Sequence, residues 1–163
     1  MDDAVQRLLA RERIRDTIDR LAWSADALRL DDLAGCYCPD GVLAIRGREP
    51  VRGREAIAAF IGGVGAPTEA RLPEGPRGPE EPGGRTLSIV RHSVTNLRFV
   101  ELTATEARVE SYFTVLTDLG LDHAGRYRDE LVPVGEEWLI RHRSVSTDWR
   151  APDSTMAPPE SVR

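Results

Sequence analysis

Apolar side chains in the first 26 residues recur at helical spacing: Val5, Leu8, Leu9, Ile14, Ile18, Leu21, Ala22 and Ala25, with charged residues between them. This spacing predicts an amphipathic helix over 3–26. The stretch LDDLAGCYCPDG predicts a short second helix from about 31 to 38, with Asp31 as its N-cap and Pro39-Asp40-Gly41 as its stop. VLAIRG reads as a short strand, and VRGREAIAAFIGGV as a third helix over about 54–62, ended by Gly62-Gly63. Further on the period changes from helical to alternating. Strand-like runs at about 87–100, 106–118, 123–134 and 137–148 are joined by ELTATE, DLGLD and PVGEE, short enough for an antiparallel meander. Helices first and strands later predict an α+β fold, with a curved, mainly antiparallel sheet around a helical layer.

Between the two halves lies a segment, 65–85, in which ten of 21 residues are Gly or Pro. Pro73, Pro76, Pro79 and Pro82 recur every third residue, which would align them along one edge of a polyproline II helix and suit a docking ligand. The plainer reading is a mobile surface loop or lid over a site. The polar, Pro-rich end reads as a disordered tail over 150–163. The remaining 1–149 is a single domain, as expected for a chain of 163 residues and 18.0 kDa.

Composition narrows the function classes. All 22 basic residues are arginine, a bias that fits a GC-rich bacterial genome better than phosphate recognition. The net charge of −5 and the absence of a basic block argue against nucleic-acid binding. No apolar run is long enough to span a bilayer and the first residues lack a signal-peptide core, so no membrane partner and a cytoplasmic location are expected. Cys36 and Cys38 are too close for a relaxed disulfide, lack further metal ligands nearby, and read as buried free thiols.

The stretch SIVRHSVTNLRFV raises a chemical question. Alternation puts Val90, His92, Val94 and Asn96 on one strand face and Ile89, Arg91, Ser93, Thr95 and Leu97 on the other. An imidazole between two valines is either a quietly bonded core group or a proton-transfer group in an apolar cavity. Tyr112, Thr114 and Leu116 share a face of the next strand, and Tyr127 and Asp129 share one on the third. Trp138, Ile140 and His142 would share one on the last, turning His142 inward. Trp23 and Tyr37 could line a pocket near Asp26, and His123, at a turn, reads as exposed.

The order of these segments resembles the SnoaL-like branch of the nuclear-transport-factor-2-like superfamily. The resemblance rests on ADALRLDDLAGCYCPDGVL, VRGREAIAAFI, RHSVTN and the closing pair GRYRDELV and EEWLIRHR, and covers about residues 5–149. It implies a cone-shaped barrel with its pocket between the first helix and the concave sheet face. Catalytic members pair an Asp near the end of that helix with a His on the first long strand, which here implies Asp26 and His92. Dehydratases of this type often carry a Tyr five residues before the Asp, where this chain has Leu21.

The resemblance therefore implies a dehydratase, isomerase or cyclase acting without a cofactor or metal on a small apolar, cyclic or polyketide-like metabolite of secondary metabolism. Asp26 and His92 would be catalytic, with Asn96, Tyr112, Trp23, Tyr37, Tyr127 and His142 as substrate-binding candidates. A non-catalytic binding domain like a dioxygenase β subunit is the rival reading. Epoxide hydrolysis is a third; it would need a carboxylate–arginine–carboxylate set, for which Asp129 near Arg126 and Arg128 is the only hint. A homodimer is expected through the convex sheet face, where Leu97 and Phe99 would need cover.

Overall fold

The computed structural model describes residues 3–65, 89–152 and 154. Helix α1 (Asp3–Asp26) leads into α2 (Leu30–Gly35), β1 (Tyr37–Ile45), β2 (Val51–Arg52) and α3 (Arg54–Gly65). Four long strands follow: β3 (Val90–Leu102), β4 (Ala107–Thr117), β5 (Gly120–Val134) and β6 (Glu137–Arg150). They form one open six-stranded sheet in the order β2-β1-β6-β5-β4-β3. The expected meander β3–β6 is present, and every pairing is antiparallel except β1 with β6, which is parallel. The fold is α+β, with a curved sheet that does not close into a barrel. No helix among the described residues is long and apolar enough to cross a membrane.

The core explains how α1 is placed. Ile14, Thr17, Ile18, Leu21 and Ser24 are its buried residues, at three- and four-residue spacing. Ile14, Ile18 and Leu21 pack with Leu33, Tyr37, Leu43, Ile57, Leu131, Trp138 and Ile140. Thr17 donates a 2.7 Å hydrogen bond to the Trp138 carbonyl, which ties the helix to β6. Val5, Leu8 and Leu9, counted in the apolar stripe from sequence, are exposed.

Several boundaries differ from expectation. Helix α2 has no side-chain cap; Asp31 lies in its first turn and Arg29 occupies the N-cap position. Pro39-Asp40-Gly41 stops no helix but sits within β1, at an irregularity in its pairing with β6. Residues 150, 151 and 154, assigned to the tail, belong to the fold: Arg150 ends β6, Ala151 N–H bonds the Asp122 carbonyl at 2.7 Å, and Ser154 Oγ bonds Asp122 Oδ1 at 2.7 Å. The Gly/Pro-rich segment, from residue 66 on, lies outside the described residues, as does the rest of the tail. Cys36 and Cys38 are buried free thiols.

One bulge reverses a face assignment. Thr95 pairs with Tyr112 and Arg98 with Glu110, so two β3 residues oppose Ser111 alone. Asn96 takes the extra place with φ of 56°, a left-handed conformation that Asn tolerates better than most residues. Beyond it the alternation changes phase. Leu97 and Phe99, expected on the convex face, pack against the core instead. Phe99 lies under the Arg11 guanidinium of α1 at 4.1 Å.

Candidate active site

Asp26 is the last residue of α1, where the helix carries partial negative charge and a carboxylate is disfavoured unless it finds donors. It finds them on β3. That strand is the sheet edge, so its outward N–H groups have no strand partner. The His92 N–H points to the Asp26 carboxylate, 3.0 Å from Oδ2 and 3.2 Å from Oδ1, and His92 Nδ1 lies 2.6 Å from Oδ1. Both side chains are largely buried, with 20% of His92 and 11% of Asp26 exposed. Because a carboxylate can only accept, Nδ1 carries the hydrogen, and a neutral ring presents the Nε2 lone pair. Among the described residues Nε2 has no hydrogen-bond partner.

The cross-strand register builds the surface around this pair. Val115 lies opposite His92, and Phe113 opposite Val94. Phe113 stacks on Tyr127 with centroids 4.4 Å apart and planes 15° apart. Gly125 leaves room for that stack, since a Cβ there would meet the Phe113 ring at 2.9 Å. Deeper in, Arg143 lies over the Tyr127 ring at 4.2 Å and forks onto Asp129 through Nε and Nη2, both at 2.7 Å. Burial opposes the Arg143 charge, yet the charge of Asp129 and its hydrogen bonds outweigh it and raise the pKa. Burial pushes the Tyr127 phenol up to about 12, and raises that of fully buried Tyr37 as well. Tyr37 Oη and Ser111 Oγ are buried without a partner among the described residues. The inner face thus offers an imidazole, three neutral hydroxyls and a fixed cation beside an aromatic wall.

The sequence-derived site residues divide into two groups. Asp26, His92, Tyr37 and Tyr127 are on the inside. Trp23, Asn96, Tyr112 and His142 are not. Trp23 is 70% exposed on α1, Asn96 is exposed on the bulge, and Tyr112 is 56% exposed on the convex face. His142 fails to turn inward because a register shift between Glu130 and Leu131 makes it the partner of Glu130, on the outer face, and turns Arg143 in. Asp129 meets Arg143 rather than Arg126 or Arg128, which face outward to Asp148 and Glu110, so the carboxylate–arginine–carboxylate set expected around them does not assemble.

Arg143 and Ser111 are not among the residues the sequence points to, and His123, expected to be exposed at a turn, is inside. Arg143 depends on a bulge that alternation cannot reveal. His123 is only 13% exposed and bonds Asp122, and the adjacent Asp-His pair at the start of a strand was its one visible sign.

Comparison with known proteins agrees with this architecture. Rv3472, a protein of unknown function from Mycobacterium tuberculosis, is 22% identical with a TM-score of 0.71, the match covering 96% of this chain and 82% of that one. A putative scytalone dehydratase from Novosphingobium aromaticivorans is 18% identical at a TM-score of 0.68, covering 96% of each chain. LinA is 19% identical at 0.68, covering 96% of this chain and 99% of its own. At these identities the likeness is one of fold. No match is found among the curated proteins compared with it. The model of the SnoaL-like domain matches residues 6–144. The chain is therefore a member of the SnoaL-like domain family.

Proposed function

We propose that the protein is a cofactor-independent acid–base enzyme, a dehydratase, isomerase or cyclase, acting on a small apolar cyclic molecule. The observation that carries this reading is the 2.6 Å contact between His92 Nδ1 and Asp26 Oδ1 at the edge of the concave face. The carboxylate fixes the tautomer and stabilises the imidazolium formed when Nε2 takes a proton, and the partly buried setting strengthens both effects. Val90, Val94, Val115 and Phe113 supply an apolar bed for the ring. Tyr127, whose phenol stays protonated, and Arg143 would hold a substrate oxygen as charge gathers on it. The same imidazole returns the proton to a leaving hydroxyl or to another carbon.

Proton abstraction is testable before the natural substrate is known. Cyclic β-hydroxy ketones incubated with the protein in D₂O should exchange hydrogen for deuterium next to the carbonyl, followed by NMR. His92→Gln and Asp26→Asn should each slow this by about 10²-fold or more. Exchange that is absent in the wild type, or equal in the variants, would remove the enzymatic reading and leave a binding domain. A homodimer through the convex face is part of the same proposal, with exposed Tyr112, Leu116, Leu121 and Trp149 in place of Leu97 and Phe99. Light scattering should then give twice 18.0 kDa.

A further inference from the structure

A second carboxylate–imidazole pair lies on the same sheet face. His123 Nδ1 is 2.7 Å from Asp122 Oδ1, with 13% and 6% of the side chains exposed. The same oxygen accepts the Ser154 hydroxyl at 2.7 Å, and the Asp122 carbonyl takes the Ala151 N–H. Asp122 is thus held from the chain end and in turn holds His123, as Asp26 holds His92.

The register places the two imidazoles in one row. Val115 is the partner of His92 on one side and of His123 on the other. Val115 is fully buried, so all three side chains stand on the concave face. An irregularity between Val115 and Leu116 lets Asp122 and His123 turn inward together, and Leu121 then falls on the outer face opposite Leu116. Two strand spacings separate the histidine Cα atoms by about 10 Å. The edge of His123 also meets Phe113, with centroids 5.6 Å apart and planes at 75°, so both imidazoles border the Phe113–Tyr127 stack. With Nδ1 committed to Asp122, Nε2 of His123 is the free nitrogen, and it has no hydrogen-bond partner among the described residues.

The geometry points to His123 as a second proton-transfer group of the site, serving the leaving hydroxyl of the same bound ring. This rests on the acid–base reading above and extends it: the substrate is a cyclic β-hydroxy ketone that is deprotonated next to the carbonyl and loses hydroxide, as water, from the adjacent ring carbon. His92 Nε2 takes a C–H proton next to the carbonyl and becomes imidazolium. The electron pair is held on the carbonyl oxygen as an enolate; it then forms the C=C bond as the C–O bond on the neighbouring carbon breaks, and imidazolium His123 gives its proton to the departing oxygen. One water leaves, the charge has moved from His123 to His92, and exchange with solvent resets both. Asp122 and Ser154 are positioning residues.

The chain has three histidines, each in a different setting, so their ring Cε1–H signals can be assigned with His92→Gln, His123→Gln and His142→Gln. Titration with 3-hydroxycyclohexanone should move the His92 and His123 signals along one saturation curve and leave His142, on the outer face, still. In His123→Gln, deuterium exchange next to the carbonyl should stay within about threefold of wild type while loss of water falls tenfold or more. Movement of the His92 signal alone, or equal losses of exchange and elimination, would overturn the role of His123 and leave the His92 reading intact. Silence of both signals, with no exchange, would overturn both.

Discussion

Strands β5 and β6 carry two arginine–aspartate forks of nearly identical geometry on opposite faces of the sheet. Arg126 meets Asp148 through Nε at 2.8 Å and Nη2 at 2.7 Å, and Arg143 meets Asp129 through the same nitrogens, both at 2.7 Å. The outer pair is 45% and 42% exposed; the inner one is 7% and 0%. Outside, water and salt screen the attraction, and fixing two long side chains offsets most of what remains. Inside, each ion has given up hydration, and the pair holds only because each satisfies the other. Equal geometry therefore carries unequal consequence. The outer fork is one member of a charged convex face that includes Arg98–Glu110–Arg128 and Arg141 with Glu106 and Glu130. The inner fork fixes a cation beneath Tyr127.

The contrast is sharpest in Asp129→Ala. It leaves a buried guanidinium uncompensated and should cost about 3–5 kcal/mol in urea unfolding. Adding Arg143→Met should recover most of that loss, since an apolar pair of similar volume is often no less stable than the ions; failure to recover would mean Arg143 is needed for packing. The next effect is alkaline. The raised Tyr127 pKa means the folded state retains a proton that the unfolded chain gives up near pH 10. That stabilisation is fully present below about pH 10, is lost as pH rises through about 12, and amounts to about 2–3 kcal/mol. Urea melts across this window should decline, less steeply in Tyr127→Phe, with the raised Tyr37 phenol supplying part of the remainder. The smallest effect is Asp148→Ala, at most about 1 kcal/mol and shrinking with added salt. A loss there equal to that of Asp129→Ala would erase the distinction between the faces.

What the sequence made legible follows the same division. Helix α1, the meander and the Asp26–His92 pair could be read because each rests on local periodicity or on a family pattern. Asn96, Leu97, Phe99 and His142 lie on the face opposite to the one that alternation predicts, for one physical reason. Alternation holds only along an unbroken ladder, and single extra residues in β3 and β6 shift its phase. Trp23 misled because nearness to Asp26 in sequence does not place a helical residue on the same face. The parallel pairing of β1 with β6 left no local trace, since it joins segments far apart in the chain.

That pairing sets a timetable for the chain as it is made. Tyr37 pairs with Ile140, and the Ile140 N–H bonds the Cys36 carbonyl at 2.9 Å. Until β6 leaves the ribosome, β1 has only the two-residue β2 beside it. About a hundred residues separate the partners, a wait of roughly 5–20 s at ordinary elongation rates. Throughout it Leu43 and Ile45 lack their final neighbours Arg143 and Val145. Ribosome-stalled chains ending before Glu137 should therefore be cut by protease around β1, and chains extended well past Arg150 should resist. Until β6 emerges, the nascent protein has its first strand open to chaperones or to another copy of itself.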